Sequence, residues 1–208
     1  MKYLLIWAIP FQALLYPCDT KILGDEKSKD TWIYLCGLKE DLLSESAQDE
    51  TCILNDIGKD LHIKIIAIDP PKRSKSFNNK FCWPHENKSE LQQTYEYIAS
   101  RVNKERISGY LGFSNGGFLL LALGQTIPLD SPIITIGAGG TVSDPKTKNQ
   151  IILLIGKYDS HHYNSANQFY KQSNDTPLEV ELIEYEGGHC IPKTLLYEVI
   201  KKTQPSAS

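Results

Sequence analysis

The 208-residue sequence lacks a marked excess of charge of either sign, since 22 basic and 25 acidic side chains give a formal net charge of -3. A nucleic-acid-binding protein needs a concentrated basic surface to contact phosphates, so we expect no nucleic-acid partner. The composition also lacks the bias of disordered, collagen-like and coiled-coil chains. A chain of this length can bury a sizeable core without a disulfide or a metal, which favours a single folded domain.

Beyond the N-terminus, no apolar run is long enough to span a membrane. The apolar stretch at residues 3–16 (YLLIWAIPFQALLY) follows Lys2. It is shorter than the roughly 20 residues of a transmembrane helix, but it has the length of the hydrophobic region of a secretory signal. We therefore predict a signal peptide over residues 1–18, one domain over residues 19–208, and an exported protein. If this stretch is instead a buried element of the fold, we expect a cytoplasmic protein.

The cysteines form no recognisable metal-binding pattern. None belongs to a CxxC motif, and the Cys and His residues lack zinc-type spacing. Cys18 lies three residues after Leu15, which permits a lipid anchor, although Tyr16 and Pro17 are larger than lipid-anchoring sequences prefer. The other thiols permit disulfide bonds in an exported protein without selecting a pairing. These thiols are Cys36, Cys52, Cys82 and Cys190.

From Thr31 onward, strand-like and helix-like segments alternate without an internal repeat. Strands separated by helices form βαβ units, and continuous apolar strands are typical of a sheet covered on both faces. We therefore predict a three-layer α/β sandwich with a mostly parallel sheet of about six strands. The candidate strands are residues 31–36, 61–68, 106–113, 132–136, 150–155 and 178–185. The candidate helices are residues 44–59, 90–104, 115–125, 163–172 and 192–202.

A G-x-S-x-G motif, Gly112-Phe113-Ser114-Asn115-Gly116, follows one candidate strand and opens an apolar helix. A sharp strand-to-helix turn holds Ser114 in a strained conformation and exposes its hydroxyl above the sheet. Gly112 and Gly116 lack the Cβ atoms that would collide within this turn. The N-terminus of the following helix offers N–H donors suited to an oxyanion, so the motif indicates a nucleophilic serine.

A nucleophilic serine needs a base, and the base needs an acid that orients it. His189 follows the last candidate strand in the sequence EYEGGH, and Asp159 follows the preceding strand in IGKYD. Asp144, which follows the strand at residues 132–136, is the alternative acid.

Together, the motifs GFSNGG, IGKYD and EYEGGH resemble the α/β-hydrolase superfamily, in particular its small serine esterases of the carboxylesterase/phospholipase or dienelactone-hydrolase type. The resemblance covers about residues 31–202. It implies that Ser114 is the nucleophile, His189 the general base and Asp159 the orienting acid, in the Ser…Asp…His order of the superfamily.

The resemblance also implies an oxyanion hole with two backbone N–H donors. Asn115, the residue after the nucleophile, is the first, and Leu38 or, next, Gly37 is the second. Cys36 stands where the superfamily often has His, so the loop that carries the second donor departs from the pattern. The short separation between Ser114 and Asp159 in the sequence leaves no room for a cap domain.

The implied activity is hydrolysis of carboxylic esters, including thioesters and lipid acyl esters, through an acyl-enzyme and without a cofactor. The alternatives are a peptidase or amidase of the same fold and a catalytically inactive binding protein. His161 and His162 follow Asp159 and either line the site or lie on an exposed loop, of which we favour the exposed loop, and we expect no metal site. The region at residues 72–85 is predicted to be an irregular surface loop, whose aromatic residues either line an acyl-binding wall or pack locally. They are Phe77, Phe81 and Trp83.

Overall fold

The computed structural model describes residues 20–40, 45–102, 105–143, 145 and 147–204. The predicted signal peptide with Cys18 and the alternative acid Asp144 lie outside the described residues, so these stay predictions. None of the helices in the described part of the chain has both the length and the apolar character needed to cross a membrane.

Nine strands in the described part of the chain form a central sheet and a separate hairpin. They are β1 Thr20–Gly24, β2 Thr31–Leu35, β3 Lys64–Ile68, β4 Lys72–Ser74, β5 Lys80–Cys82, β6 Ile107–Phe113, β7 Ile133–Ile136, β8 Gln150–Gly156 and β9 Glu179–Tyr185. The central sheet has the order β1-β3-β2-β6-β7-β8-β9, and β4 pairs with β5. Neighbours in the central sheet are parallel except β1, which is antiparallel to β3. The prediction of a mostly parallel α/β sheet is therefore confirmed.

Among the residues that the structure describes, five helices cover the two faces of this sheet. They are α1 Glu45–Asp60, α2 Lys88–Arg101, α3 Asn115–Thr126, α4 Tyr163–Ser173 and α5 Lys193–Thr203. Because successive strand residues point to opposite faces, β2 divides its side chains between two cores. Ile33 and Leu35 join the cluster under α2, α3 and α4, and Trp32 and Tyr34 join the cluster under α1 and α5. The three-layer prediction is confirmed by this arrangement.

The sequence pattern gave no indication of β1, the edge strand of the sheet. Its residues are polar or partly exposed, with only Leu23 buried, so the apolar run that marks a central strand is absent. The strand forms because the edge of β3 offers backbone partners, from Thr20 opposite Ile68 to Gly24 opposite Lys64. The predicted sheet of about six strands therefore omits this edge strand.

The segment at residues 72–85 is more regular than predicted. It contains the hairpin of β4 and β5, joined by a short 3-10 turn at Lys75–Phe77. Phe81 then forms a two-way backbone pair with Lys39 in the loop after β2, with N···O distances of 2.7 and 3.2 Å. Both strands have only three residues, so the sequence carries no periodic signature of them. This hairpin fixes the loop after β2 in place.

Candidate active site

Ser114 lies at the turn between β6 and α3, where the backbone is strained. Its φ of 50° and ψ of -117° are unusual for a residue with a Cβ atom. The neighbouring glycines are required by packing, because a Cβ atom on Gly116 would lie 2.1 Å from the carbonyl oxygen of Leu35. A Cβ atom on Gly112 would lie 2.7 Å from the carbonyl oxygen of Gly116. The turn therefore has the geometry that the G-x-S-x-G motif predicts.

Asp159 and His189 meet at the same end of the sheet because they follow the adjacent parallel strands β8 and β9. The His189 Nδ1 atom lies 2.6 Å from Asp159 Oδ2. Asp159 is nearly inaccessible, with 1% of its side chain exposed, whereas His189 is 35% exposed. Burial would by itself raise the pKa of Asp159, but hydrogen bonds from His189 and His162 outweigh burial and lower it. An ionised carboxylate only accepts hydrogen bonds, so the His189 ring carries its proton on Nδ1.

The loops that carry this pair are tied to each other. The backbone N–H of Tyr158 donates to the carbonyl oxygen of Gly187 at 2.9 Å. The Tyr158 hydroxyl donates to Glu186 at 2.8 Å, and Lys157 forms an ion pair with the same carboxylate. Gly156 permits this approach, because a Cβ atom there would lie 2.4 Å from the Gly187 carbonyl oxygen. These contacts hold the loop of Asp159 and the loop of His189 in a fixed position relative to each other.

His162 is a second histidine on the same carboxylate, in contrast to the exposed position expected for it. Its Nδ1 atom lies 3.0 Å from Asp159 Oδ1, and its backbone N–H donates to that oxygen at 3.2 Å. Its ring stacks on His189, with centroids 4.6 Å apart and an interplanar angle of 26°. The only sequence indication was its position three residues after Asp159, at the start of α4.

His189 also approaches the turn between β6 and α3 that carries Ser114. Its ring lies against Phe113, the residue before Ser114, with centroids 4.8 Å apart. Gly137 leaves space for the ring, since a Cβ atom there would lie 2.7 Å from His189 Nδ1. Contacts within the described part of the chain do not include a hydrogen bond between the Ser114 hydroxyl and His189. Such catalytic hydrogen bonds are often long before a substrate binds.

Two backbone segments face Ser114 as candidate oxyanion donors. Asn115 is the first residue of α3, and the first N–H groups of a helix have no partner within the helix. The loop after β2 passes close to Ser114, because a Cβ atom on Gly37 would lie 3.0 Å from Ser114 Cβ. Leu38 follows in the same loop and is partly exposed. The backbone at Gly37 and the first residue of α3 therefore lie beside Ser114.

Trp83 connects these two segments, a role that the sequence did not indicate. Its backbone N–H donates to Asn115 Oδ1 at 2.7 Å, and its indole Nε1 donates to the carbonyl oxygen of Cys36 at 2.9 Å. The side chain is buried, so it packs locally and does not line an open acyl-binding wall. The hydrogen bonds of Trp83 therefore hold the Asn115 side chain and the peptide between Cys36 and Gly37, next to both candidate oxyanion donors.

The four cysteines of the described residues are all free thiols, so no disulfide forms among them. Cys36 and Cys82 are buried, and Cys52 and Cys190 are exposed. Cys36 is the first residue of the loop after β2. Burial raises the pKa of its thiol to about 12, which keeps the thiol protonated and unreactive.

Comparisons with known proteins reveal similarity in structure. No family model matches the chain. No curated protein matches it. Acyl-protein thioesterase 2 of Zea mays matches with a TM-score of 0.66 and 16% identity, over 89% of this chain and 97% of that chain. A carboxylesterase from Mesorhizobium loti matches with a TM-score of 0.63 and 12% identity, over 88% of this chain and 93% of that chain.

A phospholipase/carboxylesterase from Dyadobacter fermentans matches with a TM-score of 0.57 and 18% identity, over 88% of this chain and 96% of that chain. At such identities the similarity establishes the fold. Within the residues that the structure describes, no cap domain is evident beside the sheet and its five helices. The chain therefore has the α/β-hydrolase fold of these small esterases, as the resemblance in its sequence implies.

Proposed function

We propose that the protein is a serine hydrolase that cleaves carboxylic esters, including thioesters and lipid acyl esters. The observation that carries the proposal is the 2.6 Å contact between His189 and the buried Asp159, next to a serine held at a φ of 50°. A serine in a strained turn and a histidine oriented by a buried carboxylate have the chemistry of a nucleophile and its base. A glycine-rich structural turn alone would need neither.

In the proposed first step, the Ser114 oxygen attacks the acyl carbonyl carbon while His189 Nε2 accepts the hydroxyl proton. Asp159 stabilises the imidazolium that results. The N–H groups of Asn115 and of Leu38 or Gly37 donate to the oxyanion, and loss of one such donor costs about 10²–10³ in rate. The ester C–O or thioester C–S bond then breaks, and the leaving alcohol or thiol receives the proton from His189.

The second step releases the acyl group. A water molecule gives a proton to His189 Nε2 as its oxygen attacks the acyl-enzyme carbonyl. The bond to the Ser114 oxygen breaks, and His189 returns the proton to Ser114. The products are a carboxylic acid and the free enzyme, and no cofactor takes part.

The structural neighbours support esters and thioesters as the substrate class. Their printed names describe a carboxylesterase, a phospholipase/carboxylesterase and an acyl-protein thioesterase. The partial exposure of His189 supports a site open to solvent, which suits a small or accessible ester.

The proposal is tested by hydrolysis of p-nitrophenyl acetate, butyrate and octanoate, with the corresponding p-nitroanilides as amide substrates. We expect ester turnover that is lost in Ser114→Ala and kept in Ser89→Ala, a matched change on the exposed face of α2. Anilide turnover above ester turnover would identify an amidase. Absence of all turnover in the intact protein would leave a hydrolase fold used for binding.

A further inference from the structure

Three potential metal ligands converge at the acid of the candidate triad. Asp159, His162 and His189 each offer one ligand atom, and these atoms all lie within 4.8 Å of one another. Both histidines direct Nδ1 at the carboxylate, at 3.0 Å for His162 and 2.6 Å for His189. The carboxylate is buried, but the two rings are 23% and 35% exposed, so an ion in solution has a route to the site.

This donor set matches the preferences of zinc. Zn²⁺ binds imidazole nitrogen and carboxylate oxygen at about 2.0–2.2 Å and commonly uses three protein ligands plus a water molecule. Ligand atoms around one tetrahedral ion are then about 3.4 Å apart. Around the shared oxygen Asp159 Oδ2, His162 Nδ1 already lies at 3.3 Å, and His189 Nδ1 at 2.6 Å has to move outward to admit the ion. Mg²⁺ prefers oxygen ligands in octahedral geometry and fits this set poorly.

The surroundings hold the rings in a common orientation. His162 and His189 stack on each other at 4.6 Å. Phe113 packs against His189 at 4.8 Å, and Phe118 packs against His162 at 5.6 Å. Asp159 and His162 follow β8, and His189 follows β9. Because His189 is distant from the other two ligands in the sequence, the sequence alone does not indicate this cluster.

We propose that Asp159, His162 and His189 form a Zn²⁺ site whose occupation inhibits the enzyme, an inference whose inhibitory part rests on the proposed function. In the free enzyme each neutral ring carries its proton on Nδ1, and Nε2 of His189 is free to accept the Ser114 proton. Zinc needs the Nδ1 lone pairs, so each proton moves to Nε2 through solvent and the rings stay neutral. His189 then lacks a free Nε2 lone pair and cannot act as the base.

The test begins with zinc binding, because binding does not depend on activity. Isothermal titration of the intact protein with ZnCl₂ is expected to show one site, and titration with MgCl₂ none. Ser114→Ala keeps the three ligands and is expected to bind zinc like the original protein. His162→Phe removes one ligand, and we expect zinc affinity to fall by more than about tenfold, since loss of even an outer partner costs about 10–100-fold. His162→Gln is the second variant should His162→Phe fold poorly.

Inhibition is measured for each variant relative to its own zinc-free ester turnover. We expect zinc to inhibit the original protein reversibly, with recovery on addition of EDTA, and the inhibitory concentration to rise more than about tenfold in His162→Phe. His161→Phe alters the neighbouring exposed histidine, and Cys190→Ser alters the exposed thiol next to His189. Both are expected to keep zinc inhibition unchanged.

Two results would overturn the proposal. Equal zinc affinity in the original protein and in both His162 variants would show that zinc binds elsewhere. Loss of inhibition in Cys190→Ser, with His162→Phe unaffected, would assign the effect to the thiol. If the protein binds zinc through His162 but hydrolyses no ester, the metal site stands while the proposed function fails.

Discussion

Trp83→Phe tests whether the hairpin of β4 and β5 positions the oxyanion donors. The substitution keeps the buried aromatic ring and the backbone N–H that donates to Asn115. It removes the 2.9 Å hydrogen bond from the indole Nε1 to the carbonyl oxygen of Cys36. This carbonyl group belongs to the peptide between Cys36 and Gly37. A buried acceptor left without its partner costs about 1–3 kcal/mol. If the oxyanion transition state is destabilised by this free energy relative to the bound substrate, kcat falls by about 5- to 150-fold.

The assay is steady-state hydrolysis of p-nitrophenyl butyrate, with inhibition by a trifluoromethyl ketone whose oxyanion occupies the hole. We expect Trp83→Phe to lower kcat and weaken the inhibitor by similar factors, with KM nearly unchanged. Trp32→Phe is the matched control, because the Trp32 side chain is also buried but its Nε1 has no partner among the described residues. Equal kcat values for the two variants, or a Trp83→Phe effect confined to KM, would refute the positioning role.

Three further predictions concern the triad acid, the thiols and the nucleophile turn. Asp159→Asn is expected to lower kcat for the same ester by about 10⁴, because an asparagine amide no longer holds His189 in the tautomer with a free Nε2. A loss of kcat below about tenfold would contradict this role of Asp159. Iodoacetamide at about pH 8–10 should modify Cys190 and leave Cys36, with a pKa of about 12, unmodified until unfolding; mass spectrometry detecting early Cys36 modification would contradict the buried position. Gly116→Ala should destabilise the fold by more than about 4 kcal/mol in urea unfolding, since its Cβ atom would lie 2.1 Å from a carbonyl oxygen; a stability within about 1 kcal/mol of the original would contradict the tight turn.

The main sheet and helices were predictable because their sequences carry their own pattern. β8 is a continuous apolar run. The sequence predicts this strand at residues 150–155, and the structure has it at Gln150–Gly156. α4 was placed at residues 163–172 against the observed Tyr163–Ser173. β1, β4 and β5 could not be predicted, because they are short, lack a continuous apolar run and exist through pairing with a neighbour.

The candidate site was predictable to the extent that strand order determines it. Residues that follow adjacent parallel strands meet at one edge of the sheet, which accounts for the contact between Asp159 and His189. The contacts of His162 and Trp83 were not predictable, because the sequence does not reveal the direction of a side chain that leaves a loop. A histidine beside a buried carboxylate and a tryptophan between two loops are both products of tertiary packing.

Covalent labelling tests the central claim most directly. The intact protein is treated with a fluorophosphonate, digested and analysed by mass spectrometry, beside Ser114→Ala and the matched Ser89→Ala. We predict one phosphonyl adduct on the Ser114 hydroxyl, absent from Ser114→Ala and unchanged in Ser89→Ala. An adduct that persists in Ser114→Ala, or no adduct in the folded original protein, would contradict a reactive serine at the turn between β6 and α3.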